Sequence, residues 1–439
     1  MFARGVGTID KARMTTRELP AGDPVRLGFA ADRLNRIATT MDAAVAKGAL
    51  PGAVTLVARR GEIAHLHVSG KLDIDRPAAL QVDSLFRMYS QTKPMTAAVI
   101  LALFEDGAFL LDEPISKWLP EFSNPKVVAF QQSQERVRGA GVGPGLVAAR
   151  REITIFDLLT MTSGLPSMSR TPAAHWPTLS RAWEGTGFSP GDTRFNDPPG
   201  TYDELVQALA ASPLHAHPGE VWQYGSDFDV LTLLATRVSG KSLDVLFQEK
   251  VLGPLGMNDS GFYCAAADLG RLVTDHQWDQ HGRIVVRDRP ETSEKAGGNN
   301  RRLMSGNGLF GGLLSTPWDY ARFAQMLLNG GELDGVRVLG RKTVELMSTN
   351  HIGERCIDLA VGPNYGFGLG VCVRKGIGGS FMPGSEGTFG WGGAAGTWFF
   401  VDPAEEMMGL FFTHVFGYQF LPTADLFERF EKMAYEALT

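Results

Sequence analysis

Apolar residues recur at helical spacing over residues 31–47, where Leu34, Ile37, Met41 and Val45 share one face, and Pro51-Gly52 ends the run. Residues 53–60 and 63–68 then read as two strands turning through Gly61. Helical spacing returns over 96–109, with Gly107 weakening the end, and residues 112–120 read as a loop and a short turn. Further helices are expected over 154–160, stopped at Ser163-Gly164, over 202–210, over 227–238 before Gly240, and over 243–251 before Pro254. Thr316 followed by Pro317 predicts a capped helix reaching 328. Residues 365–374, 387–401 and 407–414 alternate or run apolar as sheet strands do, and a closing helix is expected over 424–437.

That order predicts an α+β fold: an antiparallel sheet built from both termini and flanked by helices, with an inserted, mostly helical lobe. Residues 20–120 and 300–439 would form the α/β lobe, and 121–299 the helical lobe with long loops lining an entrance. Residues 121–150 and 166–200 are the long connections, and connections of that length in a compact protein are often shaped into a site. Trp176, Trp183 and Phe188 either line such a site or pin the loop to the core.

Composition narrows the class. With 44% hydrophobic and 21% charged residues over 439 positions, the chain is an ordinary globular one, long enough for a large core. A net charge of -6 with no basic run excludes a broad nucleic-acid binder. Cys264, Cys356 and Cys372 are few and unevenly spaced, so they read as reduced small hydrophobes without a disulfide framework. His215-Ala216-His217 has no third ligand at a diagnostic spacing, and no metal or cofactor is expected. The first twenty residues lack an apolar signal core, and no apolar run is long enough to span a bilayer. A cytoplasmic protein without integral membrane association is the expectation.

Candidate chemistry begins at Ser90-Gln91-Thr92-Lys93-Pro94, where a serine and a lysine stand three apart at a helix start. Residues three apart on a helical turn face the same side, so the amine can approach the hydroxyl. Alone, the pair is equally a helix cap and a solvated lysine, and the pattern occurs again at Ser123 and Lys126, in a proline-containing loop with no helix behind it. Two more stretches change the weighing. Tyr224-Gly225-Ser226 contains the one tyrosine followed at +2 by Ser or Asn, and it leads into a helix. Gly390-Trp391-Gly392-Gly393-Ala394-Ala395-Gly396 sits in an apolar strand whose small residues let a ligand approach the backbone.

Together these sites resemble the serine beta-lactamase and penicillin-binding-protein superfamily, most closely the family VIII carboxylesterases related to class C beta-lactamases. The stretches 157–165 and 311–316, Pro218-Gly219 and Pro254-Leu255-Gly256-Met257 also look like that family, so the likeness covers about residues 30–415. The resemblance implies Ser90 as nucleophile, Lys93 as base, and Tyr224 as base or proton shuttle. It implies an oxyanion hole from the backbone N–H groups of Ser90 and Ala394, and a substrate pocket touching Ser226, Trp391, Gly392 and Gly393. Free lysine is a poor base near neutrality, with a reference pKa of about 10.4, so a proton shared between a buried Lys93 and Tyr224 is expected.

Three departures qualify the likeness. The interval from Ser90 to Tyr224 is long, Ser226 stands where Asn is commoner, and Trp391 replaces the lysine that beta-lactamases use toward a substrate carboxylate. The last favours neutral esters, although Arg374 or Lys375 could supply a cation from a neighbouring strand. The expected activity is hydrolysis of short- to medium-chain carboxylic esters through an acyl-enzyme, with water, an alcohol or an amine as acyl acceptor. An amide or peptide hydrolase, a beta-lactamase-like acyl transferase and a catalytically silent penicillin-binding-type sensor are the alternatives. His414 either touches the pocket or packs, and Asp227 either orients the Tyr224 loop or caps its helix. The glycines of 306–312 let backbone pass closely beneath the site.

Overall fold

The computed structural model describes residues 18–129, 145–166, 202–293, 295–296, 304–308, 312–355, 357, 364–378, 380–418 and 425–439. Trp176, Trp183, Phe188 and Cys356 lie outside them. In chain order the strands are β1 (Gly52–Arg59), β2 (Glu62–Gly70), β3 (Phe86–Arg87), β4 (Lys126–Ala129), β5 (Gly145–Ala148), β6 (Asp275–Trp278), β7 (Ile284–Asp288) and β8 (Leu314–Ser315). They continue with β9 (Glu332–Leu333), β10 (Val336–Arg337), β11 (Tyr365–Phe367), β12 (Cys372–Arg374), β13 (Phe389–Gly392), β14 (Trp398–Asp402), β15 (Met407–Phe412) and β16 (Val415–Phe416).

The main sheet runs β11-β12-β13-β14-β15-β1-β2 and every pair in it is antiparallel. Early and late parts of the chain meet at β1 and β15, in a register that sets Val54 opposite Phe412 and Arg59 opposite Met407. The expected α+β sheet assembled from both ends is therefore present. The strands β1, β14 and β15 read as apolar runs because both faces are covered, whereas the edge strand β2 is part-exposed. Side chains alternate sides along a strand. Thus Phe399 meets Tyr320 of the helix Pro317–Leu328 with ring centroids 5.1 Å apart, while its neighbour Phe400 meets Phe430 of the helix Leu426–Glu436 at 6.3 Å. In β15, Phe412 lies 5.8 Å from Tyr320 and Phe411 lies 6.2 Å from Phe430.

Several details differ from the sequence expectation, among them the strands β4 and β5, which pair within the stretch 121–150 expected as a connection. Residues 365–374 and 387–401 were each expected as one run, and each is a hairpin. The turns carry Gly370 at φ 83° and Gly396 at φ 86°, a left-handed backbone that ends a strand. Residues 275–288, grouped by sequence with the helical lobe, form β6 and β7, and β6 pairs in parallel with β16. The helix expected from residue 96 is Thr92–Glu105, preceded by a 3₁₀ turn at Tyr89–Gln91. Pro94 falls in its first turn, where a missing N–H forfeits no helical bond, so proline opens this helix instead of delaying it. Residues 92–103 are buried on all sides. The helix runs through the interior and delivers its N-terminus to one end of the sheet.

A Gly-x-Ser-x-Gly stretch, Gly187 to Gly191, matches the nucleophile elbow of α/β-hydrolases and lies outside the described residues. An elbow of that kind sits on a parallel sheet, and the main sheet here is antiparallel. Among the described residues no helix is long and apolar enough to cross a membrane.

Candidate active site

Ser90 lies in the 3₁₀ turn and Lys93 in the first turn of the helix that follows. Residues i and i+3 align in such a turn, which puts both side chains on one side. Lys93 is buried, with Nζ donating to Tyr224 Oη at 2.6 Å and to the carbonyl of Asn307 at 2.6 Å. Tyr224 Oη in turn donates to Ser90 Oγ at 2.5 Å. The phenol therefore stands between amine and hydroxyl, and the amine reaches the serine through it. Ser90, Lys93 and Tyr224, the residues the resemblance implies, are brought together across more than 130 positions of sequence.

Tyr224 owes its place to the segment after the helix Ile155–Leu159. That helix opens with a capping box, in which Thr154 accepts from the N–H of Asp157 and Asp157 accepts from the N–H of Thr154. Its exit is a strained turn with Met161 at φ 55°. From there Met161, Thr162 and Gly164 accept the N–H groups of Gln223, Gly219 and His215 at 2.9, 2.7 and 2.8 Å. A Cβ on Gly164 would sit 2.2 Å from the carbonyl of Ala216, so only glycine admits that approach. Ser163 Oγ then donates to the buried Asp227 carboxylate at 2.5 Å, just beyond the tyrosine. Burial pushes the Asp227 carboxyl up to about 7, against the opposing pull of that hydroxyl. Asp227 thus orients the Tyr224 loop. Ser226, also buried, precedes the helix Asp227–Ser239 without capping it through its side chain.

Asn307 was not foreseen. Its backbone carbonyl receives the lysine, so its side chain carries no recognisable signal of that role. The side chain fixes the carbonyl instead, with Nδ2 donating to Asp229 at 2.7 Å and to the Gly225 carbonyl at 3.3 Å. Flanking glycines explain the composition of this stretch. A Cβ on Gly308, at φ 94°, would fall 2.2 Å from the Tyr89 carbonyl carbon and 2.7 Å from Ser90 N. Backbone passes directly beneath the serine, as the run of glycines predicts.

The third stretch ends β13. A Cβ on Gly393 would come within 2.3 Å of the Met88 carbonyl, so this turn lies against the backbone leading into Ser90. Among the described residues, the N–H groups of Ser90 and Ala394 donate to no protein acceptor. Trp391 is buried, its ring 5.9 Å from that of Tyr224 and edge-on to Phe367 at 5.3 Å. Trp222 completes the cluster, 6.4 Å from Tyr224 and 5.5 Å from Phe367. The tryptophan therefore packs and walls the site at once.

Arg374 does not serve as the compensating cation. It is buried at the other end of β12, donating to Glu431 at 3.2 Å, the Tyr365 hydroxyl at 3.0 Å and the Met382 carbonyl at 2.8 Å. Strand alternation and the Glu431 carboxyl direct it away. His414 packs between Phe86 at 6.0 Å and His276 at 5.1 Å, where burial holds its ring well below the usual imidazole range. His215 meets Gln223 and His217 accepts from the N–H of Arg150, so the two rings serve different partners.

Comparison with known proteins matches the chain to a family model described as Beta-lactamase over residues 37–430. Protein Rv1367c of Mycobacterium tuberculosis is 36% identical over 374 residues, covering 83% of this chain and 86% of that one. Esterase EstB of Burkholderia gladioli is 30% identical over 409 residues, covering 89% and 93%. Among solved structures, EstCE1, a hydrolase with promiscuous acyltransferase activity, superposes with a TM-score of 0.74 at 24% identity, over 92% of this chain and 99% of that one.

Proposed function

The chain belongs to the beta-lactamase family, and from that premise we propose a serine carboxylesterase that forms an acyl-enzyme on Ser90. Its kinship with Esterase EstB makes it an ester-hydrolysing serine enzyme. One observation carries the acyl-enzyme proposal: Tyr224 Oη lies 2.5 Å from Ser90 Oγ and 2.6 Å from Lys93 Nζ.

Ser90 Oγ attacks the ester carbonyl carbon as its proton passes to Tyr224 Oη, which hands its own phenolic proton to the Lys93 amine. The tetrahedral oxyanion points at the unoccupied N–H groups of Ser90 and Ala394, and one such donor typically contributes about 3 kcal/mol. As the carbon–oxygen bond to the leaving alcohol breaks, Tyr224 gives its proton to that oxygen and regains one from Lys93, which leaves the amine neutral for the second half-reaction. Water then attacks the acyl-enzyme by the same path in reverse, and Ser90 recovers its proton when the acid departs.

Neutral esters fit better than substrates with a carboxylate near the reacting carbonyl. Trp391 occupies the position of a cation, and Arg374 is committed to Glu431 and Tyr365. The rings of Trp222, Phe367 and Trp391 fill the space behind Tyr224, which favours short- to medium-chain acyl groups. The test is a p-nitrophenyl ester series with nitrocefin as control, on wild type and Ser90→Ala. Loss of ester turnover in the variant, with weak or no nitrocefin cleavage by wild type, is expected. An unchanged ester rate in Ser90→Ala overturns the proposal.

A further inference from the structure

Beneath the site lies a polar cluster that the proton relay does not use. Tyr89, immediately before Ser90, has φ 45°, a left-handed backbone that a tyrosine seldom adopts. Its side chain is buried, and its Oη donates to Asp275 Oδ2 at 2.5 Å. Arg287 Nη1 donates to the same carboxylate oxygen at 2.6 Å and to Tyr89 Oη at 2.9 Å. The Arg287 guanidinium also lies 4.3 Å from the centre of the Phe416 ring, which is 5.4 Å from that of Tyr89. Two residues earlier, Arg87 donates to Asp288 at 2.6 Å and Ser293 at 3.0 Å. The segment entering the nucleophile is thus tied by two side chains to the β6–β7 ribbon.

The other end of the cluster reaches the third stretch. Phe416 belongs to β16, which pairs with β6. From the same segment, the N–H of Val415 donates to the Ala395 carbonyl at 2.9 Å and that of Gly417 to the Ala394 carbonyl at 2.7 Å. The peptide group that carries the Ser90 N–H is the one joining Tyr89 to Ser90, so the backbone angles of Tyr89 aim it. The turn carrying Ala394 is held by residues 415–417. Tyr89, Asp275, Arg287 and Phe416 therefore connect the supports of two donors that come from distant parts of the chain.

We propose that Tyr89, Asp275 and Arg287, braced on Phe416, are positioning residues that set the Ser90 and Ala394 N–H groups at the spacing an oxyanion requires. None of them touches the substrate in this scheme. The inference rests on the proposed oxyanion role of Ser90 and Ala394 and extends it to the residues that hold them. Preorganised donors stabilise charge only while their geometry is kept, so loosening the brace weakens transition-state binding and spares ground-state binding.

The experiment compares wild type with Tyr89→Phe, Asp275→Asn and Arg287→Lys, each normalised to sites titrated by a fluorophosphonate. kcat, KM and the inhibition constant of a boronic acid that forms a tetrahedral serine adduct are measured, along with Tm. Tyr89→Phe keeps the ring and fold while deleting both hydroxyl contacts, so it decides the matter if Asp275→Asn fails to fold. The expected result is a kcat loss of roughly 10-fold or more with KM little changed, and boronate affinity falling in proportion. Arg287→Lys should fall between. Variants with lower Tm but wild-type kcat and boronate affinity per titrated site overturn the brace. If wild type itself is not labelled at Ser90, the acyl-enzyme reading fails instead, so the two failures are separable.

Discussion

At the residue scale, the account depends on one phenol standing between an amine and a hydroxyl. Tyr224→Phe keeps the ring against Trp391 and removes the oxygen that receives the serine proton. It should lower kcat/KM by about 10²–10⁴-fold, the usual contribution of a general base. Lys93→Met should lose a comparable factor, and the double variant little more, because residues acting as one unit are not additive. Steady-state kinetics with a p-nitrophenyl ester reads all three. These residues were legible because three short patterns stand in the order that the family resemblance requires; the serine–lysine spacing by itself occurs twice and left a helix cap open. Asn307 was not, since it acts through its backbone carbonyl, which every residue possesses. Arg374 misled for the converse reason: a charge near a site in sequence says nothing of which way its strand turns it.

At the scale of elements, short connectors determine where those residues meet. The segment 161–164 clasps the loop carrying Tyr224, and Ser163 and Asp227 join the two ends of the clasp. The folded-state pKa of Asp227 lies above its unfolded value, at about 7 against 3.8. Below the lower value both states hold the proton and burial costs nothing. Between the two values only the unfolded chain ionises, so this group makes the protein less stable as pH rises, and above about 7 the full cost persists. Asp227→Asn should therefore gain stability relative to wild type across that window, by at most about 1.4 kcal/mol per pH unit. Denaturant unfolding of both proteins at several pH values checks the difference. Helices and turns were largely legible, since caps and glycines mark their ends. Hairpins at 365–374 and 387–401 were not separated, because an apolar strand buried on both faces has no polar rhythm to interrupt. The pairing of β6 with β16 joins residues far apart in sequence and leaves no local trace.

For the whole molecule, an antiparallel sheet joined at β1 and β15 holds early and late segments in one body, and the helix that follows Ser90 is buried against other helices. The closing helix is tied to the sheet by Phe430 and by the buried Arg374–Glu431 pair. Burial pushes the Glu431 carboxyl up to about 7 despite the arginine. Arg374→Met should cost about 3–5 kcal/mol of stability, at the low end below neutral pH where Glu431 takes a proton, and should leave kcat per titrated site intact. A matching fall in kcat would restore Arg374 to the site. Covalent chemistry at Ser90 relayed by Tyr224 can be followed by rapid-quench intact-mass analysis with peptide mapping. With a slow p-nitrophenyl ester, the account predicts an acyl adduct on the Ser90 peptide that forms in a burst, decays at the turnover rate, and forms far more slowly in Tyr224→Phe. Turnover without an adduct at Ser90, or an adduct that forms equally fast without the phenol, would contradict it.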